Sequence, residues 1–273
     1  MELFPSEGSY MEKMKMLWKG MENIIQKRNI FLMLGAITII GFCIYQLIGI
    51  YFSYKKADDE YAEIEQKYVI EIDSEQEIVG EDIEKIENPV DFAGLKNQNE
   101  DVVGWLKIDG IKLSYPIMQS VDNEYYLNHT FQKNTHFAGS IFMDCENSPD
   151  FSDYNIILYG HNMKNGSMFG SLKKYQSKEF FAQNPFFWIY TPEKIYKYKV
   201  FSCREVSIHS GSYQIQFEDR KDFSSYIYDA AKASFVKHDI PSYEKDAIVT
   251  LSTCTNNSSN RFIVQGLCVQ INE

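Results

Sequence analysis

The stretch Ala247–Gly266, AIVTLSTCTNNSSNRFIVQG, decides the reading of this chain. Residues 247–254 are rich in β-branched and apolar side chains and end on Cys254. A polar loop follows, and Arg261 then opens a second run, RFIVQGLCVQI (261–271). Two such runs around a polar turn read as paired strands. A reactive side chain placed where a strand stops is held by a rigid scaffold and still reaches solvent.

Working towards the N-terminus, the same signature recurs. The strand-like segments are VVGWLKI (102–108), IKLSYPIMQ (111–119), GSIFMD (139–144), NIILYG (155–160), FWIYT (187–191) and KIYKYKVFSCREV (194–206). Fewer segments carry a helical period. DFAGLKNQNED (91–101) spaces Phe92 and Leu95 three apart. MFGSLKKYQ (168–176) and DFSSYIYDAAKASFVK (222–237) are the others, the latter repeating Phe223, Ile227, Ala230, Ala231 and Phe235 near helical spacing. Many strands with few helices predict a mostly-β barrel with peripheral helices.

Ile30 to Phe52 is free of charge and apolar all round. At 1.5 Å per residue such a helix crosses a bilayer core of about 30 Å. No small-residue cleavage site follows it, so a retained anchor is expected. Lys13, Lys15, Lys19, Lys27 and Arg28 precede the span, against Lys55 and Lys56 after it. That excess predicts a cytoplasmic N-terminus and an external body. The expected organisation is a cytoplasmic segment 1–29, an anchor 30–52, a charged solvated stalk 53–87 and a globular domain 88–273. The formal net charge of -11 argues against a nucleic-acid binder, which needs a basic face for phosphates. The five cysteines form no CxxC pair, and no acidic cluster suggests a metal. No cofactor is expected.

His161 follows the apolar run 155–160 in a turn rich in Gly and Asn. A free thiol near pKa 8.5 is only a few per cent thiolate at neutrality, so a nucleophilic Cys254 needs a base. An imidazole supplies one. Negative charge that builds on an attacked carbonyl calls for a fixed cation, and a guanidinium offers a planar fork of donors. Cys254, His161 and Arg261 are the candidates for these three tasks.

YGHNM around His161, TLSTC ending at Cys254 and Arg261 beyond it resemble the signature of the sortases. The long insert between Val206 and Ala247, GSIFMD, the HNMKNGSMFGSLKKY run and DNEYYLNHTF are similar to class B members in particular. The resemblance, over about residues 88–273, implies an eight-stranded β-barrel and a cysteine transpeptidase on the outer face of Gram-positive cells. It implies cleavage of a C-terminal sorting signal, NPxTN-like or PxTG-like, through a thioacyl-enzyme. A peptidoglycan-precursor amine then takes the acyl group. It places the family's catalytic residues on Cys254, His161 and Arg261, and signal-binding positions on Ser252, Asn123, Leu127, Tyr226 and Ile227. The alternative is a secreted cysteine peptidase or amidase that only hydrolyses. Papain-like and cell-wall amidase families place the cysteine before the histidine, whereas His161 precedes Cys254 here.

Overall fold

The computed structural model describes residues 7–70, 87–237, 239–240 and 246–272. The chain divides into two compact units, Met1–Lys55 and Lys56–Glu273.

The first unit is helical. Helix α1 (Glu7–Tyr68) begins in it, and the side chains from Tyr10 through Phe52 are exposed. Apolar residues such as Phe31, Leu34, Ile40 and Leu47 lie on every side of the helix, so they match an apolar solvent and not a protein core. Among the described residues, α1 is the one helix long and apolar enough to cross a membrane.

The second unit is a closed barrel of eight strands. These are β1 (Val102–Ile108), β2 (Leu113–Met118), β3 (Ile141–Met143), β4 (Asn155–Tyr159), β5 (Phe186–Tyr190), β6 (Ile195–Ser207), β7 (Ile248–Cys254) and β8 (Asn260–Asn272). Their order around the barrel is β1-β2-β3-β4-β7-β8-β6-β5. The β2–β3 and β4–β7 pairs are parallel and the remaining neighbours antiparallel. Trp105, Leu106, Ile157, Ile189, Leu251 and Ile263 on these strands are fully buried. Gly266 on β8 lies under the stacked rings of Phe187 and Tyr198; a Cβ there would come within 2.4 Å of Phe187. Only a glycine lets that strand pass so close.

Among the described residues the α-helices are α1, α2 (Phe92–Gln98), α3 (Lys178–Gln183) and α4 (Arg220–Ala233). Asp91 caps α2 by accepting from the Gly94 amide at 2.9 Å, and Asp219 caps α4 by accepting from Asp222 at 2.8 Å. The MFGSLKKYQ segment, expected as a helix, is a 3-10 turn at Leu172–Gln176 instead. Its buried pair, Leu172 and Tyr175, is three apart, the period of that tighter winding. The short α3, capped by Ser177, was not anticipated.

The charged stretch 53–87 differs over its first part from a solvated stalk. Ala57, Tyr61, Ile64 and Tyr68 recur at helical spacing and are buried. Tyr61 donates to the Gly139 carbonyl at 2.7 Å and sets its ring edge-on against Tyr115 at 5.1 Å. Residues 71–86 of the stretch lie outside the described residues.

Helix α4 lies in the insert between β6 and β7. Its buried face, Phe223, Ile227 and Ala230, packs on Phe201, Ile248 and Leu267 of the barrel and on Phe217. Phe223 is fully buried. Phe223→Ala should therefore lower unfolding free energy by about 3–5 kcal/mol, read from urea denaturation.

Candidate active site

The rim where β4, β7 and β8 end gathers the three residues singled out from sequence. In β7 the first six residues are buried and the last, Cys254, is exposed. Cys254 and Arg261 are register partners in the antiparallel β7–β8 pair, so their side chains leave the sheet on one face. His161 comes from β4, which runs parallel to β7 with Tyr159 opposite Ser252. Three bonds carry that pairing past the end of β4. Gly160 N donates to Ser252 O at 3.2 Å, Thr253 Oγ1 to Gly160 O at 2.7 Å, and Asn162 Nδ2 to Cys254 O at 2.8 Å. His161 is thus tied on both sides to the strand end that bears the thiol.

The imidazole has a defined tautomer. His161 Nε2 lies 2.7 Å from the Leu127 carbonyl, which only accepts. Nε2 therefore carries hydrogen, and Nδ1 is left to accept a proton. Arg261 Nη1 donates to the Ser258 and Asn260 carbonyls at 2.8 and 2.9 Å. Both are neutral, and among the described residues no carboxylate pairs with this guanidinium. Its Nε–H and two Nη2–H groups stay available. A cleft of about 370 Å³ opens beside Cys254, lined by Asn162, Phe169, Lys173, Thr255 and Phe262 among others.

The residues read as signal-binding divide. Ser252 is 1% exposed, one turn of the pleat below Cys254, and its Oγ shares a hydrogen bond of 2.9 Å with the Tyr213 hydroxyl. Asn123 uses both ends of its amide: Nδ2 donates to Asp144 at 3.1 Å, and Oδ1 accepts from the Cys145 amide at 2.8 Å. Leu127 acts through its carbonyl, which orients His161. Tyr226 donates to Ser212 O at 3.1 Å and accepts from Gln265 Nε2 at 2.8 Å, tying α4 to β8. Ile227 is 2% exposed inside the α4 cluster. The Ile227 side chain anchors the insert helix, because α4 turns it towards the barrel.

Tyr213 was missed. Its ring stacks on Tyr159 at 6.4 Å. Burial pushes its phenol pKa up; the Ser252 hydrogen bond and the Arg261 guanidinium act downward, and a Cys254 thiolate acts upward. It therefore stands within electrostatic reach of two of the three reactive candidates. It sits in a short turn, Gly211–Tyr213, far from either motif in sequence, and nothing local to GSYQ marks it.

A sortase domain family matches residues 106–269. The chain is 38% identical to sortase B of Listeria monocytogenes over 182 residues, 66% of this chain and 74% of that protein. It is 28% identical to sortase B of Staphylococcus aureus over 243 residues, 88% and 95% of the two chains. Among solved structures, sortase B from B. anthracis in complex with AAEK1 superposes with a TM-score of 0.66 at 31% identity, covering 81% of this chain and all (100%) of that one. A Staphylococcus aureus sortase B–substrate complex gives a TM-score of 0.66 at 25% identity, covering 80% and 99%. Together with the closed barrel and the thiol at its rim, these matches establish that the chain belongs to the sortase family, on its class B branch, and is a cysteine transpeptidase.

Proposed function

We propose that this transpeptidase works at the outer face of the cell membrane, held by the 30–52 span with its N-terminus in the cytoplasm. It cleaves a C-terminal sorting signal, NPxTN-like or PxTG-like, of secreted proteins and joins them to an amino group of a cell-wall precursor. The observation that carries this reading is the register pairing of Cys254 with Arg261 beside a His161 of defined tautomer.

The steps follow from those atoms. The Cys254 thiol gives its proton to His161 Nδ1, and the thiolate attacks the scissile carbonyl. The oxyanion takes hydrogen bonds from the free Nε–H and Nη2–H groups of Arg261, while Nη1 holds the loop that carries them. The C–N bond breaks, and the departing amine takes the proton from His161. A thioester remains on Cys254. An incoming amine attacks it, His161 accepts that amine's proton, and the thiolate leaves with an amide as product. Ser252 and the stacked Tyr213 and Tyr159 form the wall along which the signal lies. Asn123 and the backbone of Leu127 shape the facing side. Tyr226 supports this wall from beneath.

The test is the full chain in detergent micelles with quenched NPxTN and PxTG peptides, with and without an amine. Amide product, identified by mass, supports the reading. Acid product alone, at a rate indifferent to added amine, favours a hydrolysing peptidase. A separate check on orientation is protease digestion of intact protoplasts, which should remove the 88–273 body.

A further inference from the structure

Beneath the insert, the outer face of β6, β7 and β8 changes character. Near Ile248 and Leu267 it is apolar and covered by α4. One row closer to Cys254 it becomes a buried polar layer, with Thr250 opposite Gln265 on β7–β8 and Gln265 opposite Ser202 on β6–β8. The next row holds Ser252, Ile263 and Arg204. Arg204 is 8% exposed. Its Nη1 donates to Ser202 Oγ and Gln265 Oε1, and its Nη2 donates to Ser212 Oγ at 3.2 Å. All three acceptors are neutral. Among the described residues no carboxylate pairs with Arg204.

A buried cation without a counter-charge is an expensive way to hold a barrel together. Such a departure from ordinary core chemistry points to function. Its geometry shows what it serves. Ser202 and Gln265 belong to the barrel and Ser212 to the insert, so the guanidinium joins the two. Ser212 is held a second way through its carbonyl, which accepts from Asn155 Nδ2 at 3.2 Å and Tyr226 Oη at 3.1 Å. The next residue is Tyr213, whose hydroxyl meets Ser252.

We propose that Arg204 is a positioning residue for the substrate groove: by clamping Ser212 to the barrel it holds Tyr213 against Ser252 and so sets the wall beside Cys254. This deepens the functional reading above and rests on it for the identity of the peptide. A planar fork suits the task, because one group must reach acceptors on two strands and a loop at once. Lysine, a single ammonium on a flexible stem, cannot span them in the same geometry.

The test compares wild type with Arg204→Met, Arg204→Lys and Ser212→Ala in the full chain. Arg204→Met should raise KM for the sorting-signal peptide by about tenfold or more, while kcat moves by less than about threefold. Its Tm should fall by no more than a few degrees, since methionine removes the uncompensated charge while leaving Gln265 Oε1 without that donor. Arg204→Lys should recover little of the KM. Alkylation of Cys254 by iodoacetamide should stay at the wild-type rate, and amide hydrogen exchange at 211–216 should quicken. A folded Arg204→Met with unchanged KM and unchanged exchange overturns the proposal. If that variant does not fold, Ser212→Ala decides: a raised KM supports the clamp and an unchanged KM refutes it. If wild type turns over no sorting peptide, the functional reading fails by itself. Exchange at 211–216 then decides on the clamp, faster exchange supporting it and unchanged exchange refuting it.

Discussion

Cys254→Ala should reduce turnover of a sorting-signal peptide by at least about 10⁴-fold. The sulfur is the only atom at the rim proposed to bond covalently to substrate, so no neighbouring group replaces it. The fold should survive. Cys254 is exposed, and its side chain makes no hydrogen bond to another described residue, so a methyl in its place leaves the β7–β8 pairing intact. The measurement is paired. Mass spectrometry of wild type trapped with peptide in the absence of amine should show the thioacyl adduct, and the variant should show none at an unchanged Tm. An adduct on the variant would move the nucleophile elsewhere.

Arg261→Lys should lower kcat/KM by about 10²–10³-fold, in the range for losing an oxyanion donor. Charge is kept in this substitution, so the loss reports geometry. Arg261 divides its donors: Nη1 binds the Ser258 and Asn260 carbonyls, and the remaining hydrogens are the ones proposed to meet the oxyanion. An ammonium has three donors on one atom and cannot hold the loop and the oxyanion together. Near-wild-type kinetics would take Arg261 out of the mechanism. Stability should change little, because the side chain is partly exposed at the rim.

The candidate centre was legible because its elements announce themselves locally. Residues 247–254 and 261–271 have the β-branched content of strands, and Cys254 and Arg261 stand where that pattern breaks. What stayed hidden depends on contacts distant in sequence. The acidic residues between Ala57 and Tyr68 mask the spacing of the four that are buried, and only the barrel's Gly139, Ser140 and Tyr115 show why Tyr61 is there. Ile227 and Tyr226 are adjacent on one helix, and the helical period alone does not say which face meets the barrel. The structure answers by burying Ile227 in the α4 cluster and engaging the Tyr226 hydroxyl with Ser212 and Gln265. Tyr213 has no pattern to betray it; its importance comes from a hydroxyl that reaches Ser252, on a strand many residues later.

The parallel alliance of β4 with β7 bears on how this protein matures. Side-by-side strands that run the same way cannot be joined by a hairpin; here the intervening chain includes β5, β6 and α4. Contacts of such long range form late, after the loop entropy has been met by other structure. Until that pairing forms, the Cys254 sulfur and the His161 imidazole stand on separate stretches of chain. On the proposed mechanism, acyl-transfer competence then arrives last, as a by-product of finished assembly.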